Sequence, residues 1–132
     1  MNFAKIINND IADSDKGMAT SLWFNGCCFR CKNCHNSKLW DAYNFRENDE
    51  VANELYENLT ANGVERCLSI LGGEPLMPEN RRDCAEIIKL LKERLPNLRI
   101  NLWTGYTMNQ LLSEESETLK YIIETVDMLI DG

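Results

Sequence analysis

Three cysteines within a stretch of eight residues are the part of this chain whose types and spacing could do chemistry. Cys27, Cys31 and Cys34 follow the pattern C-x₃-C-x₂-C, and no fourth cysteine stands at ligand distance downstream. A [4Fe–4S] cluster is ordinarily held by four thiolates. With three thiolates the fourth iron stays open, much as the metal of a catalytic site keeps one coordination position free. The spacing therefore favours a [4Fe–4S] cluster with one iron available to another molecule.

A structural zinc ion is the alternative that the same residues leave open. His35 is the single histidine and would complete a Cys₃His ligand set. However, it follows Cys34 directly, and adjacent residues rarely converge on one tetrahedral ion. Zinc fingers also usually draw their ligands from two separated pairs. We expect His35 to lie beside the site or to be an ordinary loop histidine. Cys28 is not expected to be a ligand, because the spacing fits Cys27 better.

A second candidate site is the Gly-Gly-Glu-Pro tetrapeptide at residues 72–75, which directly follows an apolar stretch. Two glycines let a ligand approach the backbone without meeting a Cβ atom. The backbone groups and the Glu74 carboxylate could then bind the head group of an amino acid. Alone, such a tetrapeptide is an ordinary turn. A binding site is favoured here because the tetrapeptide follows a predicted buried strand and accompanies the cysteine motif.

Composition and charge exclude several classes of protein. The chain has 132 residues, 44% of them hydrophobic, which suits a single domain over residues 1–132. Its formal net charge of −7 argues against a nucleic-acid partner, because a phosphate backbone requires a basic surface. The sequence has no apolar run of membrane-spanning length and no secretory leader, so no membrane partner is expected. Six cysteines without such a leader indicate the reducing cytoplasm.

The order of elements predicts an α/β fold. Asp49 can cap a helix whose apolar residues recur every four positions and which Gly63 can close in the left-handed conformation. Cys67 and Cys84 are predicted to be core thiols, and Pro96 is expected to stop the second helix. Strands are predicted at residues 3–8, 20–24, 67–71, 98–103 and 126–130, a polar turn at 13–17, and further helices at 80–95 and 109–125.

Alternating strands and helices imply parallel strands joined by right-handed crossovers. Too few units are present to close an eight-fold barrel. We therefore predict a partial, open β/α barrel with mostly parallel strands. The cysteine loop, residues 72–75 and residues 104–106 would then lie together at the C-terminal edge of the strands.

Taken together, the motifs resemble those of the radical S-adenosylmethionine enzymes. The finer resemblance is to the activating proteins of glycyl-radical enzymes, above all those of anaerobic ribonucleoside-triphosphate reductase, and it covers nearly the whole chain. The cysteine motif is the specific part, and Trp-Thr-Gly-Tyr points towards the reductase activators. The segments that carry the resemblance are Gly26-Cys27, Cys31-Lys32-Asn33-Cys34-His35-Asn36 with Trp40, Gly72-Gly73-Glu74-Pro75-Leu76, Trp103-Thr104-Gly105-Tyr106-Thr107 and Val126-Asp127-Met128-Leu129-Ile130-Asp131-Gly132.

This resemblance implies an oxidoreductase that binds S-adenosyl-L-methionine at the open iron of a [4Fe–4S] cluster. One electron from an external donor would split the bound molecule into methionine and a 5′-deoxyadenosyl radical. That radical would take a hydrogen atom from a glycine in the glycyl-radical subunit of the partner reductase. Anaerobic conditions are implied for both proteins.

The resemblance also implies which residues form the site. Cys27, Cys31 and Cys34 would hold the cluster. The backbone around Asn33, Cys34 and His35 would contact the adenine. Gly72, Gly73 and Glu74 would contact the methionine end. Trp103, Thr104 and Asp131 stand at neighbouring strand ends and would add further contacts to the cofactor.

The sequence departs from the family pattern at two places. Many radical enzymes carry an aromatic residue just before the third cysteine, where this chain has Asn33. The reductase activators more often have a small residue at that position, so Asn33 favours their branch of the family. Family members also usually continue beyond Gly132 into a segment rich in Gly, Ser, Asn, Gln and Arg. The resemblance therefore implies a truncated chain, a minimal variant or a weakened partner interface. The alternatives are an activator of another glycyl-radical enzyme, such as pyruvate formate-lyase, and a non-catalytic iron–sulfur or zinc module.

Overall fold

Five strands form one sheet in the order in which they occur along the chain. The computed structural model describes residues 1–11 and 17–131, so most of the polar turn predicted at 13–17 lies outside the described residues. The strands are β1 (Phe3–Asp10), β2 (Ala19–Phe24), β3 (Cys67–Gly72), β4 (Ile100–Trp103) and β5 (Met128–Ile130). The helices are α1 (Asn48–Leu59), α2 (Pro78–Arg94), α3 (Met108–Ser113) and α4 (Glu117–Thr125), with 3₁₀ turns at Ser37–Leu39 and Ala61–Gly63.

The sheet is mostly parallel, as predicted. β1 runs antiparallel to β2, with Ile6 opposite Leu22. The pairs β2–β3, β3–β4 and β4–β5 are all parallel. The C-terminal ends of β2, β3 and β4 therefore lie side by side at one edge of the sheet, with β1 and β5 as the two outer strands. The closure of this sheet into a partial barrel stays a prediction.

One face of the sheet packs against the helices and forms the hydrophobic core. Alternate residues of each central strand point to this face, since successive side chains of a strand point to opposite faces. They pack with the inner stripes of α1 and α2, where Cys84 is fully buried as predicted. The strand residues are Leu22, Phe24, Leu68, Ile70, Ile100 and Leu102, and the helix residues include Val51, Leu55, Leu59, Ile87, Ile88 and Leu91.

The opposite face carries a row of small polar side chains. Ser21, Ser69 and Asn101 stand side by side in register on β2, β3 and β4, and each is fully buried. The hydroxyl of Ser21 donates to Asp10 Oδ2 over 2.9 Å and accepts from Trp23 Nε1 over 3.0 Å. The two faces therefore differ in character, since one is aliphatic and the other is hydrogen-bonded.

The single helix predicted over residues 109–125 is wrong, because two helices occupy this stretch. Thr107 caps α3 in a reciprocal capping box with Gln110, while Glu114 has an extended backbone conformation. Ser116 then caps α4 by accepting a hydrogen bond from Leu119 N over 3.2 Å. Residues 113–118 between the two helices are all polar, and a serine that bonds the next turn's N–H starts a new helix.

Smaller differences concern where elements begin and end. Helix α1 begins at Asn48 with Glu47 as its N-cap residue, so Asp49 lies inside the first turn rather than at the cap. Gly63 has the expected positive φ of 65°, although a 3₁₀ turn separates it from the end of α1. Helix α2 ends at Arg94, two residues before Pro96 as expected. None of the helices in residues 1–11 and 17–131 has the length and apolarity needed to cross a membrane.

Adjacent leucines in α3 provide a matched test of this packing. Leu111 is 1% exposed within the core, whereas Leu112 is 66% exposed. Leu111→Ala should lower the free energy of unfolding by about 2–5 kcal/mol, because it leaves a cavity. Leu112→Ala should change it by no more than about 0.5 kcal/mol. Urea denaturation of both variants measures this difference, and equal losses would show that α3 does not dock as described.

Candidate functional site

The three predicted loops meet at the C-terminal edge of β2, β3 and β4. The cysteine loop follows β2, the Gly-Gly-Glu-Pro turn follows β3, and Thr104-Gly105-Tyr106 follows β4. The rings of Phe29 and Tyr106 pack edge to face with their centroids 4.7 Å apart, which joins the first loop to the third. The juxtaposition expected from parallel strands is confirmed.

The two glycines of the turn allow the first two loops to interlock. Gly73 N donates to Phe24 O over 3.0 Å, and Glu74 N donates to Gly26 O over 2.7 Å. A Cβ atom on Gly73 would lie 2.1 Å from Gly26 O, and one on Gly72 would lie 2.4 Å from Phe24 O. Gly72 also has a φ of 135°, which other residues rarely adopt. These glycines are thus required by the protein's own backbone, whatever a ligand requires.

The carboxylate of Glu74 joins the second loop to the third. It is 1% exposed. Oε2 accepts from Leu76 N over 2.8 Å and from Thr104 Oγ1 over 2.7 Å, while Oε1 accepts from Gly105 N over 2.6 Å. Burial raises the pKa of this carboxyl, although these three hydrogen bonds and the charge of Arg81 oppose the rise. Glu74 therefore holds the second and third loops together through these hydrogen bonds.

Asn80 is a structural member of the site that the sequence analysis missed. It lies in the first turn of α2 and is 1% exposed. Its Nδ2 atom donates to Asn25 O over 2.9 Å and to Glu74 O over 3.0 Å. It thus connects the entry of the cysteine loop to the turn after β3. One feature of the sequence does indicate this role. Asn80 stands four residues before Cys84 on the inner stripe of α2, where a buried amide needs a hydrogen-bond partner.

The cysteine loop closes on itself through backbone hydrogen bonds. Gly26 N donates to Leu39 O over 2.7 Å and Cys27 N donates to Trp40 O over 3.2 Å, so the two ends of the loop are tied together. Within it, Arg30 and Asn33 have positive φ angles of 56° and 62°. Left-handed residues bend the chain sharply. The loop therefore bends sharply between its two tied ends.

The thiols of this loop differ in exposure and in their neighbours. Cys28 and Cys31 are exposed, while Cys27 and Cys34 are half-buried. Burial raises the pKa of the Cys27 thiol, and N–H groups of Phe29 and Arg30 donate to its sulfur and oppose that rise. N–H groups directed at a sulfur favour the thiolate, which is the form that binds metals.

Cys28 is engaged with the third loop. Its Sγ atom lies 3.7 Å from the hydroxyl of Tyr106. Burial, together with this hydrogen bond, raises the pKa of Tyr106 to about 12. Cys28 therefore has a protein partner, and its exclusion from the ligand set stays a prediction.

A single ion and a cluster place different demands on the ligands of the cysteine loop. Within the described part of the chain, no three His, Cys, Asp or Glu side chains are grouped so that they could hold one metal ion. Thiolates on a cluster bind different irons, so they need not converge on one point. The indole N–H of Trp40 is sealed from solvent and has no acceptor among the described residues.

The remaining predicted contact residues surround this loop in different ways. Asn33 and His35 are exposed on the cysteine loop. Thr104 is 8% exposed, and its hydroxyl is engaged with Glu74. Asp131 Oδ2 accepts from Met108 N over 3.1 Å at the start of α3. The assignment of these residues to a cofactor stays a prediction.

Comparison with known proteins identifies the family. The sequence model of the family described as "4Fe-4S single cluster domain" matches residues 14–132, and thus both halves of the site. The chain belongs to this family. No solved structure matches the chain.

Three relatives carry the same name, anaerobic ribonucleoside-triphosphate reductase-activating protein. The protein from Enterobacteria phage T4 is 33% identical over all of this chain and 80% of its own length. That from Vibrio cholerae is 30% identical over all of this chain and 83% of its own. That from Escherichia coli K12 is 25% identical over all of this chain and 84% of its own. The similarity therefore extends across the whole chain rather than the cysteine motif alone.

The interlock between the first two loops can be tested with two glycine variants. Gly73→Ala should lower the free energy of unfolding by about 2–3 kcal/mol, because its Cβ atom would collide with backbone. Gly63→Ala meets nothing within 4 Å and strains only a left-handed residue, so it should cost about 1 kcal/mol. Urea denaturation distinguishes the two. A Gly73→Ala loss no larger than that of Gly63→Ala would contradict the interlock.

The raised pKa of Glu74 predicts that the stability of the protein depends on pH. Because the pKa of this carboxyl is raised in the folded protein, folding favours its protonated form. The corresponding stabilisation is complete below the ordinary glutamate pKa of about 4.3 and is lost as pH rises through the folded value. Glu74→Gln cannot ionise and lacks this decline.

The measurement is the free energy of unfolding of wild type and Glu74→Gln by urea denaturation between about pH 4 and pH 8. The stability of the variant relative to wild type should increase with pH. Glu93→Gln, at an exposed position of α2, is the matched control and should follow the wild-type curve. A Glu74→Gln curve that also follows the wild-type curve would refute a raised pKa for this carboxyl.

Proposed function

We propose that this chain is a radical S-adenosyl-L-methionine activase for anaerobic ribonucleoside-triphosphate reductase. The observation that carries the proposal is the meeting of three loops at one sheet edge, where a three-cysteine loop interlocks with the Gly-Gly-Glu-Pro turn. The family supports a [4Fe–4S] cluster, and the names of the relatives support the reductase as partner. The cleavage of S-adenosyl-L-methionine and the identity of the contacts are the proposed part.

Cys27, Cys31 and Cys34 would hold the cluster as thiolates and leave one iron without a protein ligand. Such a cluster, reduced by an external one-electron donor, supplies the electron that splits S-adenosyl-L-methionine into methionine and a 5′-deoxyadenosyl radical, which takes a hydrogen atom from a glycine of the reductase. The chain's own residues must therefore bind and orient the cofactor and keep water away.

The geometry suggests how the turn after β3 could bind the methionine end. The N–H groups of Gly73 and Glu74 already donate to Phe24 O and Gly26 O. The groups that remain for a ligand's ammonium are the carbonyl oxygens of Gly72 and Gly73, which would act as acceptors. Glu74, with its carboxylate committed to three donors, would contribute by fixing the turn and by adding negative charge beneath it.

The adenine end would lie along the cysteine loop. Cys34 N donates to Cys31 O over 3.2 Å, which leaves the exposed Asn33 and His35 at the outside of a tight turn. The backbone of this turn can offer hydrogen bonds to a heterocycle. Thr104, whose hydroxyl is engaged with Glu74, would position the turn opposite rather than contact the cofactor by that hydroxyl.

The decisive experiment is anaerobic reconstitution with iron and sulfide. The protein should hold about four irons per chain, and, once reduced in the presence of S-adenosyl-L-methionine, it should release 5′-deoxyadenosine. With the reductase added, an electron paramagnetic resonance spectrum should show a glycyl radical. A colourless protein with one bound zinc would refute the enzyme in favour of a metal module. Cleavage that yields a radical only on a different glycyl-radical enzyme would refute the partner.

Cysteine variants test the ligand assignment. Cys31→Ala should lose the cluster and all 5′-deoxyadenosine formation, as should the equivalent changes at Cys27 and Cys34. Cys28→Ala is the control within the loop and should keep the iron, because its thiol faces Tyr106. Cys84→Ala is the control in the core and should cost only about 1 kcal/mol of stability. Loss of iron from either control as complete as from Cys31→Ala would overturn the assignment.

A further inference from the structure

A cavity lies at the opposite edge of the sheet from the cysteine loop. Its volume is about 790 Å³. It is formed where β2, β3 and β4 begin and where α1 and α2 end, with Met18, Cys67 and Leu98 among its lining residues. Pockets of this size accommodate small organic molecules. The proposed activase reaction makes no use of it.

Arg66 gives this cavity an unusual charge. The residue lines the cavity and is only 7% exposed. Nε donates to Asn9 Oδ1 over 2.8 Å, and Nη1 donates to Ala61 O over 2.8 Å and Val64 O over 3.3 Å. All three acceptors are neutral. Among the residues that the structure describes, neither a carboxylate nor any acceptor for Nη2 accompanies this guanidinium.

Burial of a charge is costly unless an opposite charge accompanies it. The carbonyl oxygens near the end of α1 offset part of this cost, since helix C-termini are partly negative. These carbonyl oxygens do not bond Nη2, so that side of the guanidinium has no partner among the residues that the structure describes. A guanidinium has donors arranged to hold carboxylate or phosphate oxygens in pairs. Arg66 is therefore suited to receive an anion from the cavity.

The rest of the lining supports an anion that has an apolar part. Arg94 and Arg99 also line the cavity, and among the described lining residues Glu65 is the single carboxylate. Arg94 is held over the ring of Tyr56, 3.6 Å from its centroid, at the rim of the cavity. A concentration of arginines is notable in a chain of net charge −7. The apolar lining residues are Met18, Leu59, Val64, Leu95, Pro96 and Leu98.

We propose that this cavity binds a phosphate-bearing organic anion of nucleotide size. Its phosphate groups would bind Arg66, with the exposed Arg94 at the rim, and its organic part would pack against the aliphatic lining. The site is separate from the cysteine loop, because it lies at the N-terminal rather than the C-terminal ends of the parallel strands. It therefore does not depend on the proposed reaction.

The test uses ATP as the probe, since it joins a polyphosphate to an apolar ring system. Equilibrium dialysis of the full chain carrying its cluster, in about 0.15 M salt with excess S-adenosyl-L-methionine, should show saturable binding of one ATP. Adenosine and inorganic phosphate should each bind more weakly. Arg66→Gln should weaken ATP binding by about tenfold or more, as expected for a lost charged hydrogen bond.

Two further variants distinguish a loss of the binding site from a folding defect in Arg66→Gln. Arg94→Gln changes an exposed side chain at the rim and should also weaken ATP binding, whereas Arg82→Gln, at another exposed position of α2, should not. The proposal is overturned if ATP shows no saturable binding, if S-adenosyl-L-methionine displaces it, or if Arg94→Gln binds it as tightly as wild type. Equal affinity for inorganic phosphate would also overturn it, because the apolar lining would then contribute nothing.

Discussion

The buried carboxylate of Glu74 is the interaction on which the arrangement of the site depends. It accepts hydrogen bonds from Thr104 Oγ1 and Gly105 N across 30 residues or more of sequence and also from Leu76 N in its own turn. Removal of a carboxylate from water costs several kcal/mol, and only well-directed donors or charges make it tolerable. Because these donors come from two different loops, the carboxylate stays buried only while the loops remain together.

The order of the strands is what brings those loops within reach. β3 lies between β2 and β4, and all three run in the same direction, so the turn after β3 has the cysteine loop on one side and residues 104–106 on the other. Gly72 and Gly73 let the first pair of backbones approach, and Glu74 bonds the second pair. Three consecutive residues thus connect both neighbours, and Asn80 reinforces one of these connections from α2.

Much of this arrangement can be predicted from the sequence, and the exceptions have physical causes. Continuous apolarity predicts β3. The spacing of Cys84, Ile87 and Leu91 predicts the buried face of α2, because apolar residues that recur with the helical period share one face and that face packs against the core. The break between α3 and α4 escapes such reasoning, since the capping serine within the polar residues 113–118 is a local signal that apolar spacing does not detect. The role of Glu74 escapes as well. Its sequence context suggests a ligand group, but its partners come from a loop that only the sheet order brings close.

The hydrophobic core contains none of the four thiols of the cysteine loop; of the six cysteines, Cys67 and Cys84 are the buried ones. Metal-dependent miniature domains such as zinc fingers unfold when the metal is withdrawn, because the ion supplies their folding energy. Here the aliphatic side chains between sheet and helices supply it instead. Oxygen damage to the loop sulfurs would then leave a well-folded chain that is unable to assemble its inorganic centre, and an intact circular dichroism spectrum would say nothing about its competence.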